Sequence, residues 1–230
     1  MIRALVFDLD DTLYREKDFV RSGYRAVAQH VAKAYKCKFE RVFSNMMNTL
    51  STHGKEMVLP VLKDRFLDPS IPLAELVGVY RNHRPAICLF PGYLKLLKAL
   101  GTSYRLGIIT DGLPEVQKGK VRALDLENLM DNIVYTWEYG REKEKPHPYP
   151  FSLMLTALQA KADSSLFIGD SLGKDCKGAH EAGMRYVQIR SPSSSGNPSV
   201  GAGGKQPEFF IESLHQLPEI LQQTNWDERN

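Results

Sequence analysis

Short, nearly unbroken apolar runs, each stopped abruptly by acidic residues or glycine, constrain this chain more than any other feature. Arg3–Phe7 carries ALVF and meets Asp8, Asp10 and Asp11 at once. Tyr104–Ile109 (YRLGII) stops at Thr110-Asp111-Gly112, and Leu166–Ile168 (LFI) stops at Gly169-Asp170-Ser171. Runs this short and this apolar predict strands buried on both faces, which is what a parallel sheet demands. Asn132–Thr136 (NIVYT), Arg185–Ile189 and Phe209–Ile211 read as further strands. Helical patterns separate them: Tyr93–Leu100 behind Pro91 and Gly92, about Pro114–Ala123, Pro150–Gln159, and Asp175–Ala182 with Gly183 just past its end. Repeated strand–helix units predict the α/β class, a Rossmann-like doubly wound parallel sheet.

One segment breaks the alternation. Val20, Tyr24, Val27, Val31 and Tyr35 recur at spacings of three and four, the mark of an amphipathic helix. Similar stretches cover Phe39–Leu50, Met57–Arg65 and Leu73–Tyr80, and no strand pattern lies between Tyr14 and Pro85. We expect a discontinuous core, residues 1–14 and 86–230, interrupted by a helical insertion over 15–85. Ser191–Pro207 (SPSSSGNPSVGAGGKQP) is rich in Ser, Gly and Pro and reads as a flexible loop within the core. Its GAGGKQ is no phosphate-binding loop of the Walker type, because Ser199 stands where Gly is needed and Gln206 where Ser or Thr is.

Composition narrows the function. A formal charge of +3 from 30 basic and 27 acidic residues gives no general attraction to a nucleic acid polymer or an anionic membrane. No apolar run approaches the ~20 residues of a membrane helix. Cys37, Cys88 and Cys176 form no CxxC pair and are odd in number, which fits a reducing cytoplasm. The histidines have no metal-ligand spacing, and a loop residue such as His147 reads as simply exposed.

The polar clusters lie where an open parallel sheet places its ligand crevice, at the carboxyl ends of strands. They are Asp8-Leu9-Asp10-Asp11-Thr12, Thr110-Asp111-Gly112, Lys145-Pro146, and Gly169-Asp170-Ser171 with Asp175 close behind. Crowded carboxylates repel one another unless a cation sits among them, and oxygen ligands favour a hard ion such as Mg²⁺. A lysine and a Thr hydroxyl beside that ion make an anion pocket suited to a phosphoryl group. One Asp can then attack phosphorus while a second handles protons.

Phe7–Tyr14 (FDLDDTLY), Ile109–Gly112 (ITDG), Lys145-Pro146 and Gly169–Asp175 (GDSLGKD) resemble, in order, the four motifs of the haloacid dehalogenase superfamily. The resemblance implies roles residue by residue. Asp8 matches the nucleophile that becomes a phosphoaspartate, and Asp10 the general acid/base. Asp8, the Asp10 main-chain carbonyl and Asp170 match the Mg²⁺ ligands. Thr110 and Lys145 match the phosphate-binding pair, with Asp111 and Gly112 beside them at the substrate. Asp175 matches a position supporting the metal site or Lys145. Asp111 stands where the superfamily often has Asn, and Asp11 reads as orienting its loop.

Position 10 selects among the superfamily's chemistries. Dehalogenases lack an Asp there and phosphonatases carry a small residue, so Asp10 implies phosphate ester hydrolysis. The helical insertion resembles the cap of the group containing sugar-phosphate phosphatases, N-acylneuraminate-9-phosphatases and pyrimidine nucleotidases. Phosphoglucomutases usually have Gly at the position of Asp11. The expectation is a Mg²⁺-dependent phosphatase, monomer or homodimer, acting on a small phosphorylated metabolite such as a sugar phosphate or nucleoside monophosphate. The alternatives are a phosphoryl-transfer mutase and a catalytically silent binding protein on the same fold.

Overall fold

In the computed structural model, which describes residues 1–68, 70–190 and 206–222, the apolar runs become a parallel sheet. Its strands are β1 (Ala4–Phe7), β2 (Arg105–Thr110), β3 (Asn132–Tyr135), β4 (Ser165–Gly169), β5 (Arg185–Ile189) and β6 (Phe209–Ile211). Among the described residues the sheet is six-stranded, in the order β3-β2-β1-β4-β5-β6, and every neighbouring pair is parallel. The expected doubly wound α/β architecture is present. β1 lies centrally, fully buried along its length, with Phe7 level with Ile108 of β2 and with Ile168 of β4. This register brings Asp8, Thr110 and Asp170 out at the same end of the sheet.

The helices are α1 (Glu16–Ala34), α2 (Phe39–His53), α3 (Lys55–Phe66), α4 (Leu73–Asn82), α5 (Tyr93–Leu100), α6 (Pro114–Ala123), α7 (Tyr149–Ala157), α8 (Lys177–Glu181) and α9 (Leu217–Gln222). α7 packs on β2 and β3, and α8 on β5. Beneath them Phe151, Met154, Phe167, Met184 and Tyr186 share one core, with the Phe151 and Phe167 rings 5.1 Å apart.

The chain divides into two compact units: Met1–Arg15 with Cys88–Asn230, and Glu16–Ile87. The second holds α1 to α4 around its own core of Tyr24, Val27, Val31, Val42, Met46, Val58, Leu62 and Leu76. Their spacing of three, four and seven is the amphipathic stripe read from the sequence, and burying it supplies most of the helices' stability. Gly23 makes one contact in this bundle possible. A Cβ there would lie 2.5 Å from the Tyr80 ring, so only a glycine lets α4 press its aromatic side chain onto α1.

Several element ends differ from expectation, for local reasons. The strand expected over Asn132–Thr136 stops at Tyr135, because the Thr136 hydroxyl donates to Asp111 at 2.9 Å and a 3-10 turn, Thr136–Tyr139, follows. The helix expected from Asp175 is preceded by a π-helical turn, Leu172–Cys176, in which the N–H groups of Asp175 and Cys176 both donate to Ser171 O. α9 was not expected. Its signal was the capping pair Ser213 and Gln216, which opens the 3-10 turn Leu214–Gln216 leading into it. The Ser191–Pro207 stretch lies outside the described residues except for its last two positions.

Gly23→Val should cost about 1–3 kcal/mol by overpacking, read as a lower urea midpoint. The loss should shrink in a Tyr80→Ala background, where the ring is gone. Additive losses would mean that the Gly23–Tyr80 approach does not limit this packing.

Candidate active site

The loop after β1 leaves the sheet through Asp8, Leu9 and Asp10. Asp11 turns it in the left-handed conformation at φ 56°, which an Asp tolerates better than most residues. Asp8 is 7% exposed. Its Oδ1 accepts from Lys145 Nζ at 2.5 Å and its Oδ2 from the Thr12 hydroxyl at 3.2 Å. Lys145 is itself buried, with Nζ 2.7 Å from Asp175 Oδ1 and donating to Ile109 O at 3.3 Å. One ammonium therefore sits between two carboxylates contributed by segments far apart in sequence.

Asp175 reaches this position because the π-turn widens the helix start and turns its side chain inward, where Oδ2 accepts from Ser171 N at 3.1 Å. Gly169 makes room for it: a Cβ on Gly169 would collide with the Asp175 carboxylate. Asp8, Asp170 and Asp175 each offer an oxygen, all within 4.8 Å of one another. Lys145 pairs with Asp8 and Asp175, and one ammonium against three carboxylates leaves formal charge in excess on the negative side. An all-oxygen, anionic, partly open cluster fits a hard divalent cation of the Mg²⁺ kind.

The electrostatics of the cluster agree. Burial, with Asp175 and Asp170 close by, pushes the Asp8 carboxyl well above the usual carboxylate range, although Lys145 opposes it. Burial and the neighbouring Asp175 raise Asp170 to about 7. Burial disfavours the Lys145 charge, yet Asp175, Asp8 and Asp111 together hold its ammonium well above the ordinary lysine range.

Asp10 faces different partners. Its Oδ1 accepts from Lys120 Nζ at 2.7 Å and from the Tyr14 hydroxyl. Its Oδ2 accepts from Lys120 Nζ at 2.8 Å and from Gln117 Nε2 at 3.1 Å. Burial would raise this carboxyl, but Lys120, Tyr14 and Gln117 outweigh it and hold Asp10 below the usual range. Gln117 Nε2 also donates to the buried Thr110 hydroxyl. Asp111 braces the site with its side chain, accepting from the Thr136 hydroxyl and from Lys145 N at 3.1 Å, with Lys174 Nζ 3.4 Å away. Its main chain and that of Gly112, at φ 125°, are what remain for a ligand. His147 is exposed and accepts from Tyr149 N.

Lys120, Gln117 and Tyr14 were not singled out in the sequence. The signal for the first two was their i, i+3 spacing on α6 immediately after Thr110-Asp111-Gly112. With Val121 they form the buried face of that helix, and polar residues on a buried face need partners.

The sequence model of the haloacid dehalogenase-like hydrolase family matches residues 5–189. A glyceraldehyde 3-phosphate phosphatase of Methanocaldococcus jannaschii is 31% identical over 99% of this chain and 100% of its own length. A protein of the same name from Pyrococcus abyssi is 28% identical over 98% of this chain and 96% of its own. Among solved structures, a 2-haloacid dehalogenase from Pseudomonas syringae superposes with a TM-score of 0.67 at 25% identity, covering 96% of this chain and 98% of that one.

The raised carboxyls fix the sign of a pH effect. Asp170 binds its proton more tightly folded than unfolded, so the metal-free protein is stabilised below about pH 4 and loses that stability as pH rises towards 7. The melting temperature in chelator should fall between pH 5 and 7.5, and fall less in Asp170→Asn. Added Mg²⁺ should stabilise more at pH 7.5 than at pH 5. A Mg²⁺ effect independent of pH would show that these carboxylates do not hold the ion.

Proposed function

The chain belongs to the haloacid dehalogenase-like hydrolase family and is a phosphoric monoester hydrolase of a small phosphorylated metabolite, and we propose that it works through a phosphoaspartate on Asp8. The observation that carries this reading is the buried Asp8 carboxylate, paired with Lys145 and sharing a 4.8 Å cluster with Asp170 and Asp175.

Asp8, the Asp10 main-chain carbonyl and Asp170 would hold Mg²⁺, with Asp175 supporting the set through Lys145. The ion would offset the carboxylate charge and polarise a phosphoryl oxygen. Lys145 and Thr110 bind the phosphoryl oxygens, with the main chain of Asp111 and Gly112 beside them. Asp8 attacks phosphorus, and the ester oxygen leaves with a proton from Asp10, which takes that proton up from solvent when the negative charge of the bound phosphoryl group offsets Lys120 beside it. Asp10, now a carboxylate, takes a proton from the water that hydrolyses the phosphoaspartate, returning Asp8 and releasing phosphate.

The relatives' names favour a short sugar phosphate, of the glyceraldehyde 3-phosphate kind, over a nucleotide. The helical segment 15–85 serves as a cap that selects the leaving group, a role supported by its being a compact unit with its own core. Among the described residues Cys37, Cys88 and Cys176 form no disulfide, which is in keeping with a cytoplasmic enzyme. Among the described residues no helix is long and apolar enough to cross a membrane.

Asp8→Asn should still fold, with Asp175 left to pair Lys145, and retain under about 1% of wild-type turnover. EDTA should abolish hydrolysis of a triose phosphate and Mg²⁺ restore it. Substantial turnover in Asp8→Asn, or in chelator, would overturn the assignment. Asp10→Asn should slow release of a sugar alkoxide by about 10²–10⁴-fold. Release of p-nitrophenolate, which leaves without a proton, should slow far less. Equal losses in a rapid-quench measurement would remove Asp10 as the proton donor.

A further inference from the structure

Asp10 is part-exposed, its side chain at 26%, yet the cation it pairs with is buried, with Lys120 only 4% exposed. Taking an ammonium out of water is expensive unless its partner is close and well placed. Here Lys120 Nζ lies 2.7 Å and 2.8 Å from the two oxygens of one carboxylate. Gln117, one turn earlier on α6, donates to Oδ2 of the same carboxylate at 3.1 Å and to the Thr110 hydroxyl.

This wiring has a geometric consequence. Asp10 sits in a loop, where its carboxylate could adopt several rotamers, whereas a proton carrier must stay within about 3 Å of the oxygen it serves. Lys120 and Gln117 stand on a regular helix whose first turn follows β2 directly. They tie a loop carboxylate to a rigid element, and Gln117 ties it to Thr110, the residue proposed to bind the phosphoryl oxygens. The Tyr14 hydroxyl reinforces the placement from within the loop.

We propose that Lys120 is the positioning residue for Asp10: with Gln117 it fixes the direction of the Asp10 carboxylate relative to Thr110 and so aligns proton transfer with phosphoryl transfer. This rests on the proposed role of Asp10. Lys120 moves no proton itself. In the first step the proton passes from Asp10 to the leaving oxygen, and Lys120 faces the carboxylate that forms. In the second step the proton of the attacking water returns to Asp10.

The test is a kinetic cycle of Lys120→Met, Asp10→Asn and the double variant, each with a sugar phosphate and with p-nitrophenyl phosphate. Misplacing a reacting group by about 1 Å can cost ~10²-fold. Lys120→Met should therefore lower kcat for the sugar phosphate by about 10- to 100-fold, leave KM near wild type, and affect the aryl ester far less. Lys120→Arg, which keeps a cation able to span both oxygens, should recover most of the loss. The double variant should be no slower than Asp10→Asn. Additive losses, equal losses on both substrates, or a change confined to KM would overturn the proposal. If Lys120→Met does not fold, Lys120→Gln, which keeps a donor towards Asp10 but not the charge, carries the same readout, a smaller loss confined to the poor leaving group, with the same outcomes deciding. The Asp10→Asn arm separates the two readings: no leaving-group preference there removes the Asp10 role itself, whereas a preference there without one in the Lys120 variants removes only Lys120.

Discussion

Carboxylates within 4.8 Å of one another repel, and Lys145 is the group placed to hold two of them. Its ammonium lies 2.5 Å from Asp8 and 2.7 Å from Asp175, so the segment after β3 is bound electrostatically to the ends of β1 and β4. Removing one partner of such a buried arrangement costs more than forming it gains, because the remaining charge is left stranded. Much of the local geometry serves this constraint. The π-turn aims Asp175 inward, Gly169 leaves room for its carboxylate, and Asp111 accepts from the Lys145 main-chain N–H. What charge Lys145 leaves uncompensated is what makes the cluster suitable for a divalent cation.

Two aspartates two residues apart carry opposite electrostatic settings. Asp8, buried among carboxylates, is pushed up, and Asp10, surrounded by Lys120, Tyr14 and Gln117, is held down. The proposed chemistry needs both settings reversed: a bound divalent cation would bring Asp8 down to the carboxylate that attacks, and the negative charge of a phosphoryl group would raise Asp10 towards the acid that donates. The loop's left-handed turn at Asp11 follows directly after Asp10, so the chain reverses as soon as both aspartates have been presented.

The α/β unit and the helical unit are stabilised by different patterns in the same chain. The sheet strands are continuous apolar runs covered on both faces, while α1 to α4 bury single stripes against one another. That division leaves the chemistry-bearing side chains on loops at the strand ends, supported by rigid elements, the arrangement in which positions can be held within a fraction of an ångström.

The sequence by itself determined the parallel α/β class and put Asp8, Thr110 and Asp170 where strands end, because hydrophobic period and strand-terminating polar clusters are local properties. It also carried the haloacid dehalogenase resemblance, since the motifs are short and ordered along the chain. Only the tertiary structure decided which of those carboxylates share one cluster and which faces Lys120. Asp10 and Lys120 are 110 residues apart, and the i, i+3 spacing of Gln117 and Lys120 marks one helix face without saying what that face meets. The pairing exists because β1 and β2 are neighbours in parallel register, which brings the loop after one strand beside the helix after the other. The π-turn at Leu172–Cys176 was equally hidden, because it depends on Ser171 O accepting two main-chain N–H groups rather than on helix propensity.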